Sequence, residues 1–193
     1  GNGGIARVYL AKETKLEREV ALKVLHPSLS MEEHITKRFL KEAKIGAKLN
    51  HSNIVSIYDV GQNRGTYYFS MELLGESLYD RVKKVPFQPY PPETAIKLIL
   101  DLVEALIYAH GEGFLHCDIK PSNILFRDSS SPVLTDFGIS GELNTNIRLS
   151  KTVLSLTSPY YMSPEKISGL DLDYRSDFYN LGSMLFEILT GRA

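Results

Sequence analysis

At 193 residues the chain is long enough for one large domain or two small lobes around a cleft, and 43% apolar with 23% charged residues is the composition of an ordinary folded protein. A net charge of -1 without any block of like charges argues against nucleic-acid and membrane-surface partners, and no apolar stretch is long enough to span a bilayer. The single cysteine excludes an internal disulfide and fits a reducing compartment, the cytoplasm; no signal-peptide pattern is visible.

Residues 5–12 and 19–25 alternate as strands, joined by the polar turn Glu13-Thr14-Lys15. In "EVALKVL" Val20, Leu22 and Val24 share one face of the strand, and Ala21, Lys23 and Leu25 share the other. A helix should follow, with Ser30 and Glu33 as a capping box and Ile35, Phe39, Ala43, Gly46 and Leu49 at helical spacing. "NIVSIYDVG" and "TYYFSMELL" read as two more strands, and "LLGES" (73–77) as a small-residue joint that closes the strand-rich part. Pro91-Pro92 opens a helix that runs to about His110 and stops at Gly111. Its buried stripe is predicted to be Ile96, Ile99, Leu100, Val103, Leu106 and Ile107. "NILF" and "PVLT" are short strands around the turn Asp128–Ser131. Residues 138–162 are rich in Ser and Thr without clear periodicity, and "RSDFYNLGSMLFEILTG" is a helix apolar on most sides that should be buried. A strand-rich part, a joint and a helical part imply a cleft between them, where ligands commonly bind.

Several stretches carry chemistry. Lys23 lies on a strand beside Ala21, and Glu42 lies three residues after Phe39, toward the apolar side of its helix; they are either one buried ion pair or two solvated charges. "GNGGIARVYLA" sets Gly1, Gly3 and Gly4 ahead of an alternating strand, which is either an ordinary glycine turn or a backbone held close to a ligand. "HCDIKPSNILF" (116–126) gathers His, Asp, Lys and Asn just before an apolar strand. Asp118 and Asn123 are placed to converge from one loop stiffened by Pro121, and with Lys120 they suit a hydroxyl nucleophile, a metal and a phosphate. His116 reads best as a satisfied core histidine that shapes the loop. In "TDFG" Asp136 ends a strand, as a metal carboxylate or as a turn cap.

Singly these signals are weak to moderate; in this order they are specific. GNGGIARV (1–8), VALK (20–23), Glu42, HCDIKPSN (116–123), DFG (136–138) and SPE (163–165) together resemble the protein-kinase family over nearly the whole chain. "PYYMSPE" and "YRSDFYNLG" resemble its serine/threonine branch, especially the bacterial (Hanks-type) members.

The resemblance implies an α+β bilobal kinase fold, with an antiparallel-sheet N-lobe carrying one regulatory helix (1–73) and a mainly helical C-lobe (74–193). It implies transfer of the γ-phosphate of ATP, with Mg2+, to Ser or Thr hydroxyls of protein substrates. Lys23 would hold the α- and β-phosphates and Glu42 would orient it. The loop Gly1–Val8 would cover the phosphates, with Val8 and Ala21 against the adenine. Met71 would be the gatekeeper, and the backbone of Glu72 and Leu74 would read the adenine edge in a hinge about one residue shorter than the commonest pattern. Asp118 would accept the hydroxyl proton, Lys120 would steady the γ-phosphate, and Asn123 and Asp136 would hold magnesium. Lys120 follows the serine/threonine pattern, and Ser158 would touch Asp118 and Lys120 and seat the substrate. Glu165 would pair with an Arg beyond the end of the chain.

Two departures stand out. Cys117 replaces the Arg that members regulated by activation-loop phosphorylation carry, whose charge-assisted bonds to a phosphate are worth roughly 1.5–3 kcal/mol each. A switch role for Ser150, Thr152, Ser155 or Thr157 is correspondingly in doubt, and Cys117 itself is expected to fill a small apolar gap. Ala6 replaces the third loop glycine. The family's first strand begins before Gly1 and its helical lobe continues past Ala193, so the chain reads as a piece of a longer protein, unstable or nearly inactive alone. Bacterial relatives often carry a membrane-anchored sensor after the kinase domain. The competing readings are a pseudokinase, which retention of Lys23, Asp118, Asn123 and Asp136 opposes, and a small-molecule phosphotransferase, which usually lacks the Lys120-Pro121 pairing and "MSPE".

Overall fold

The computed structural model describes residues 5–83, 88–137, 141–142 and 159–192. Strands β1 (Ala6–Glu13) and β2 (Arg18–Leu25) form an antiparallel hairpin in register Ala6 with Leu25 through Glu13 with Arg18. The Arg18 guanidinium closes it on Glu13 at 2.6 Å. β3 (Ile57–Asn63) and β4 (Thr66–Met71) form a second hairpin, whose tip Arg64-Gly65 has φ of 49° and 81° at its two turn residues. Positive φ at both places is what a two-residue turn between right-twisting strands requires. The four strands make one antiparallel sheet in the order β1-β2-β4-β3.

Helix α1 (Glu33–Lys48) packs on this sheet through Phe39, Ala43 and Gly46, while Ile45 joins the core of the helical part. Its start differs from the predicted capping box: the N-cap is Glu32, and Ser30 bonds back to His26 O at 3.5 Å. The reason is Pro27, which opens a 3-10 turn (Pro27–Leu29) ending at Ser30 in a helical conformation, so an extended N-cap forms only two residues later.

The second part is helical. α2 (Leu78–Val82) carries a full capping box between Ser77 and Asp80, and α3 (Pro92–Gly111) crosses the core. The buried face of α3 is Ala95, Leu98, Leu102, Ala105, Leu106 and Ala109. Ile96, Leu100 and Ile107 of the predicted stripe are instead 54%, 56% and 60% exposed. The stripe is displaced because α3 turns small residues inward, and Ala95, Ala105 and Ala109 are what lets it approach its neighbours closely. Short strands β5 (Phe114–Leu115), β6 (Ile124–Phe126), β7 (Pro132–Leu134) and β8 (Gly141–Glu142) pair as β5-β8 and β6-β7. α4 (Pro164–Ile167) and α5 (Tyr174–Thr190) follow. α5 is buried along one side only: Tyr179 and Phe186 are exposed, whereas Ser176, Asp177, Asn180 and Glu187 are buried with Leu181, Met184 and Ile188. One apolar cluster lies under the sheet around Leu25, Phe39 and Phe69, and a larger one fills the helical part around Leu102, Leu106 and Met184. The segments 116–123 and 135–137 contribute Ile119 and Phe137 to the larger cluster.

Candidate active site

Strand alternation turns Lys23 to the α1 side of the sheet, where its ammonium meets two carboxylates: Glu42 Oε1 at 2.6 Å and Asp136 Oδ1 at 2.5 Å. Of the two sequence readings, the geometry is that of a buried ion pair, extended to a third member 113 residues away. Burial opposes the charge of Lys23, but Asp136 and Glu42 outweigh it and hold its pKa above that of a free lysine. Burial pushes the Glu42 carboxyl up to about 7 despite Lys23. Burial acts in the same sense on Asp136, yet the Lys23 charge and the hydrogen bonds it receives bring it down to about 2. One cation thus serves two acids, the carboxyl of Glu42 drawn upward by burial and that of Asp136 downward by the Lys23 charge.

The second group is the loop 116–123. His116 is fully buried; its Nε2 donates to Thr135 O at 2.8 Å, and its Nδ1 accepts from Asp118 N at 3.2 Å. A carbonyl only accepts and an amide only donates, so this pair of bonds assigns the neutral Nε2-H tautomer. The ring also packs against Phe137, centroids 4.7 Å apart with the ring planes tilted by 60°. Such a histidine shapes the loop, as expected. Lys120 Nζ sits 2.8 Å from Asp118 Oδ2. Asn123, in the Pro121–Asn123 turn, donates through Nδ2 to Asp118 O at 2.8 Å and to Asp118 Oδ2 at 3.2 Å. Asp118, Lys120 and Asn123 therefore converge. The use of Nδ2 on Asp118 leaves the Asn123 amide oxygen as the atom to offer a cation. Thr135 N donates to Asn123 O at 2.9 Å, which ties this loop to the segment carrying Asp136.

Two residues of the site have left-handed backbones: Cys117 at φ 65° and Asp136 at φ 64°. Asp tolerates that region; cysteine reaches it only when its surroundings hold it there. Cys117 is buried, in keeping with the expected gap-filling role.

Ala21 pairs with Met71 across the sheet and Val8 with Lys23. Val8, Ala21, Met71 and Leu74 belong to one apolar cluster. Glu72 N donates to Ser56 O at 2.9 Å, so its carbonyl is the backbone group it retains for a ligand. The Glu72 carboxylate is clamped by Arg127, Nε at 2.5 Å and a terminal nitrogen at 3.0 Å. Gly1, Gly3, Gly4 and Ser158 lie outside the described residues, as do Ser150, Thr152, Ser155 and Thr157. Beside Lys120 opens a cavity of about 560 Å³ lined by Tyr79, Lys83, Ser122, Tyr160 and Glu187.

Asp177 was not singled out from the sequence, yet it organises the loop. It is fully buried on α5 and accepts from His116 N (2.9 Å), Cys117 N (2.7 Å) and His110 Nε2 (2.8 Å). The available signal was an Asp inside an apolar helix, since a buried carboxylate must have partners. Lys166 was also passed over; it is buried, with Nζ 2.6 Å from Cys117 O. Glu165 accepts a hydrogen bond from the Ser176 hydroxyl.

Among the described residues no group of three or more His, Cys, Asp or Glu gathers as a metal site. The donors present, one carboxylate and one amide oxygen, fit a magnesium ion that shares phosphate oxygens with the protein. A strand-rich lobe over a helical lobe, with a lysine, two acids and an Asp-Lys-Asn loop between, is the architecture of a protein kinase domain. The chain belongs to that family, whose protein kinase domain model matches residues 1–193. It is similar to serine/threonine-protein kinase PrkC of Bacillus subtilis, 40% identical over 194 residues, which cover 100% of this chain and 29% of that protein. It is also similar to serine/threonine-protein kinase PknB of Mycobacterium leprae, 37% identical over 196 residues (99% and 31%). The PknB of Mycolicibacterium smegmatis is 39% identical over 197 residues (99% and 31%). The chain spans less than a third of the length of these relatives.

Proposed function

We propose that the protein containing this chain transfers the γ-phosphate of ATP to serine and threonine hydroxyls of proteins in the cytoplasm. The observation that carries the reading is the set around Lys23: an ammonium held between Glu42 at 2.6 Å and Asp136 at 2.5 Å, beside a loop in which Lys120 and Asn123 both touch Asp118. On this reading residues 1–73 form the nucleotide-covering lobe, including Gly1, Gly3 and Gly4, and 74–193 the lobe that takes the acceptor. Lys23 holds the α- and β-phosphates and Glu42 fixes its direction. Val8, Ala21 and Met71 enclose the adenine, and the Glu72 carbonyl and Leu74 backbone meet its edge. Asn123 and Asp136 hold magnesium, which supplies charge neutralisation at the phosphates. Asp118 orients the acceptor hydroxyl and takes its proton; Lys120 steadies the transferred group; Ser158 helps seat the acceptor. Little covalent chemistry falls to the protein, so positioning and charge do the catalysis. Among the described residues no helix is long and apolar enough to cross a membrane.

The test is incubation of the full-length protein with Mg-ATP labelled at the γ-phosphate, with Asp118→Asn as control. Label on serine or threonine that is lost in the control is the expected result. A folded protein that binds ATP and transfers nothing would instead be a nucleotide-binding pseudokinase.

A further inference from the structure

A lysine the proposed chemistry does not use is buried against the loop that chemistry depends on. Lys166, on α4, is 4% exposed. Its Nζ donates to Cys117 O at 2.6 Å and lies 4.0 Å from Asp118 Oδ1. Burying an ammonium is costly unless it is paired. Burial lowers the Lys166 pKa, and Asp118 pulls the other way. The placement is therefore tolerated for what the ammonium holds.

What it holds is a strained residue. Cys117 has φ 65°, a conformation that costs a non-glycine residue on the order of 1–3 kcal/mol and persists only when its surroundings over-determine it. Both peptide groups of Cys117 are gripped. Its N-H is taken by Asp177 Oδ1 at 2.7 Å, and its carbonyl receives Lys166 at 2.6 Å. The next residue is Asp118, whose other carboxylate oxygen faces Lys120 at 2.8 Å. Without the grip on the carbonyl, residue 117 would relax toward negative φ and carry Asp118 with it.

We propose that Lys166 is a positioning residue of phosphoryl transfer: it locks the Cys117 carbonyl so that the left-handed turn aims Asp118 at the acceptor hydroxyl. This rests on the kinase reading. Lys166 hydrogen-bonds the Cys117 carbonyl and stands 4.0 Å from the Asp118 carboxylate, and it acts through these two residues.

The test uses the full-length protein and four variants: Lys166→Met, Lys166→Gln, Cys117→Gly and Cys117→Gly with Lys166→Met. ATP affinity is read with a fluorescent ATP analogue, and turnover with a saturating protein acceptor. Methionine keeps the volume and removes the donor. Lys166→Met should lower kcat about 10–100-fold, the scale of a misplacement near 1 Å, with the nucleotide Kd within about 2-fold of wild type. Glycine adopts positive φ without a Cβ penalty. Cys117→Gly should therefore recover at least about 5-fold of the kcat lost in Lys166→Met, a rescue that a merely space-filling lysine would not give. If Lys166→Met does not fold, Lys166→Gln carries the comparison: it is expected to lower kcat at least about 3-fold at unchanged Kd. A folded Lys166 variant with wild-type kcat, or a double variant no better than Lys166→Met, overturns the proposal. Wild-type label transfer that Asp118→Asn does not remove overturns the kinase reading itself, and the role of Lys166 with it.

Discussion

Replacing Asp177 tests how the loop 116–118 is held. This carboxylate is fully buried and accepts from three donors, His116 N, Cys117 N and His110 Nε2, at 2.9, 2.7 and 2.8 Å. Asp177→Ala leaves all three without their acceptor inside the core. An orphaned buried donor costs about 1–3 kcal/mol, so three give a loss of about 4 kcal/mol even if water reaches one of them. That is a large part of the roughly 5–15 kcal/mol that holds a domain folded. Asp177→Asn keeps the shape and one accepting oxygen, but turns an NH2 group toward an N-H, and should cost about 2 kcal/mol. The assay is urea unfolding of both variants beside wild type. With a slope of about 2 kcal/mol/M, the midpoint should drop by about 2 M for alanine and about 1 M for asparagine. A loss below about 1 kcal/mol for Asp177→Ala at unchanged slope would show that the loop is held by other contacts and refute the assignment.

Two glycines facing different neighbours should respond to different extents to the same change. A Cβ on Gly46 would meet Ile57 Cγ1 at 2.6 Å, in the packing of α1 on β3. Ile57 is β-branched and stiff, so overpacking of about 2–3 kcal/mol outweighs the helix preference of alanine, about 1 kcal/mol, and Gly46→Ala should lower Tm by several degrees. A Cβ on Gly61 would meet the far end of the Tyr68 side chain, Oη at 2.5 Å and Cζ at 2.7 Å, and that ring can swing away. Gly61→Ala should leave Tm within a degree or two, and equal effects at both sites would contradict this packing. Glu42 should leave a mark on the pH dependence of stability. Its proton is held to about pH 7 when folded against an ordinary value of 4.5, so the folded chain binds more protons in that window and stability falls as pH rises through it. Glu42→Gln should flatten that fall, on the order of 3 kcal/mol across the window. Parallel wild-type and variant profiles between pH 4.5 and 7 would place the Glu42 carboxyl in an ordinary solvated state.

Much of the site lies in short stretches, and that is why it can be read along the chain. Asp118, Lys120 and Asn123 fall within six positions, and a stiff turn containing Pro121 makes their convergence legible from local sequence, although Asp177, Lys166 and Thr135 hold the loop from distant segments. The hairpin partners of β1 and β2, and the sharing of one face by Ala21 and Lys23, follow from a two-residue period that tertiary packing does not alter. The start of α1 differs from the predicted capping box because a proline turn occupies the residues up to Ser30. The buried face of α3 departs from the predicted stripe for a subtler reason. Amphipathic counting ranks side chains by size, but a helix in a crowded core turns its small residues inward where neighbours come closest, and Ala95, Ala105 and Ala109 decided the rotation.

By itself the sequence determined the order of the elements, the residue types the chemistry needs and the local loops that display them, because those depend on near neighbours and side-chain chemistry. Tertiary structure alone decided that Lys23 has Asp136 as well as Glu42 for a partner, that Asp177 takes up the amides of His116 and Cys117, and that Lys166 grips the carbonyl of the same residue from α4. Those contacts join residues tens of positions apart, and no local period records them. They form because charged groups removed from water have to find one another, and only the packed fold settles which ones meet.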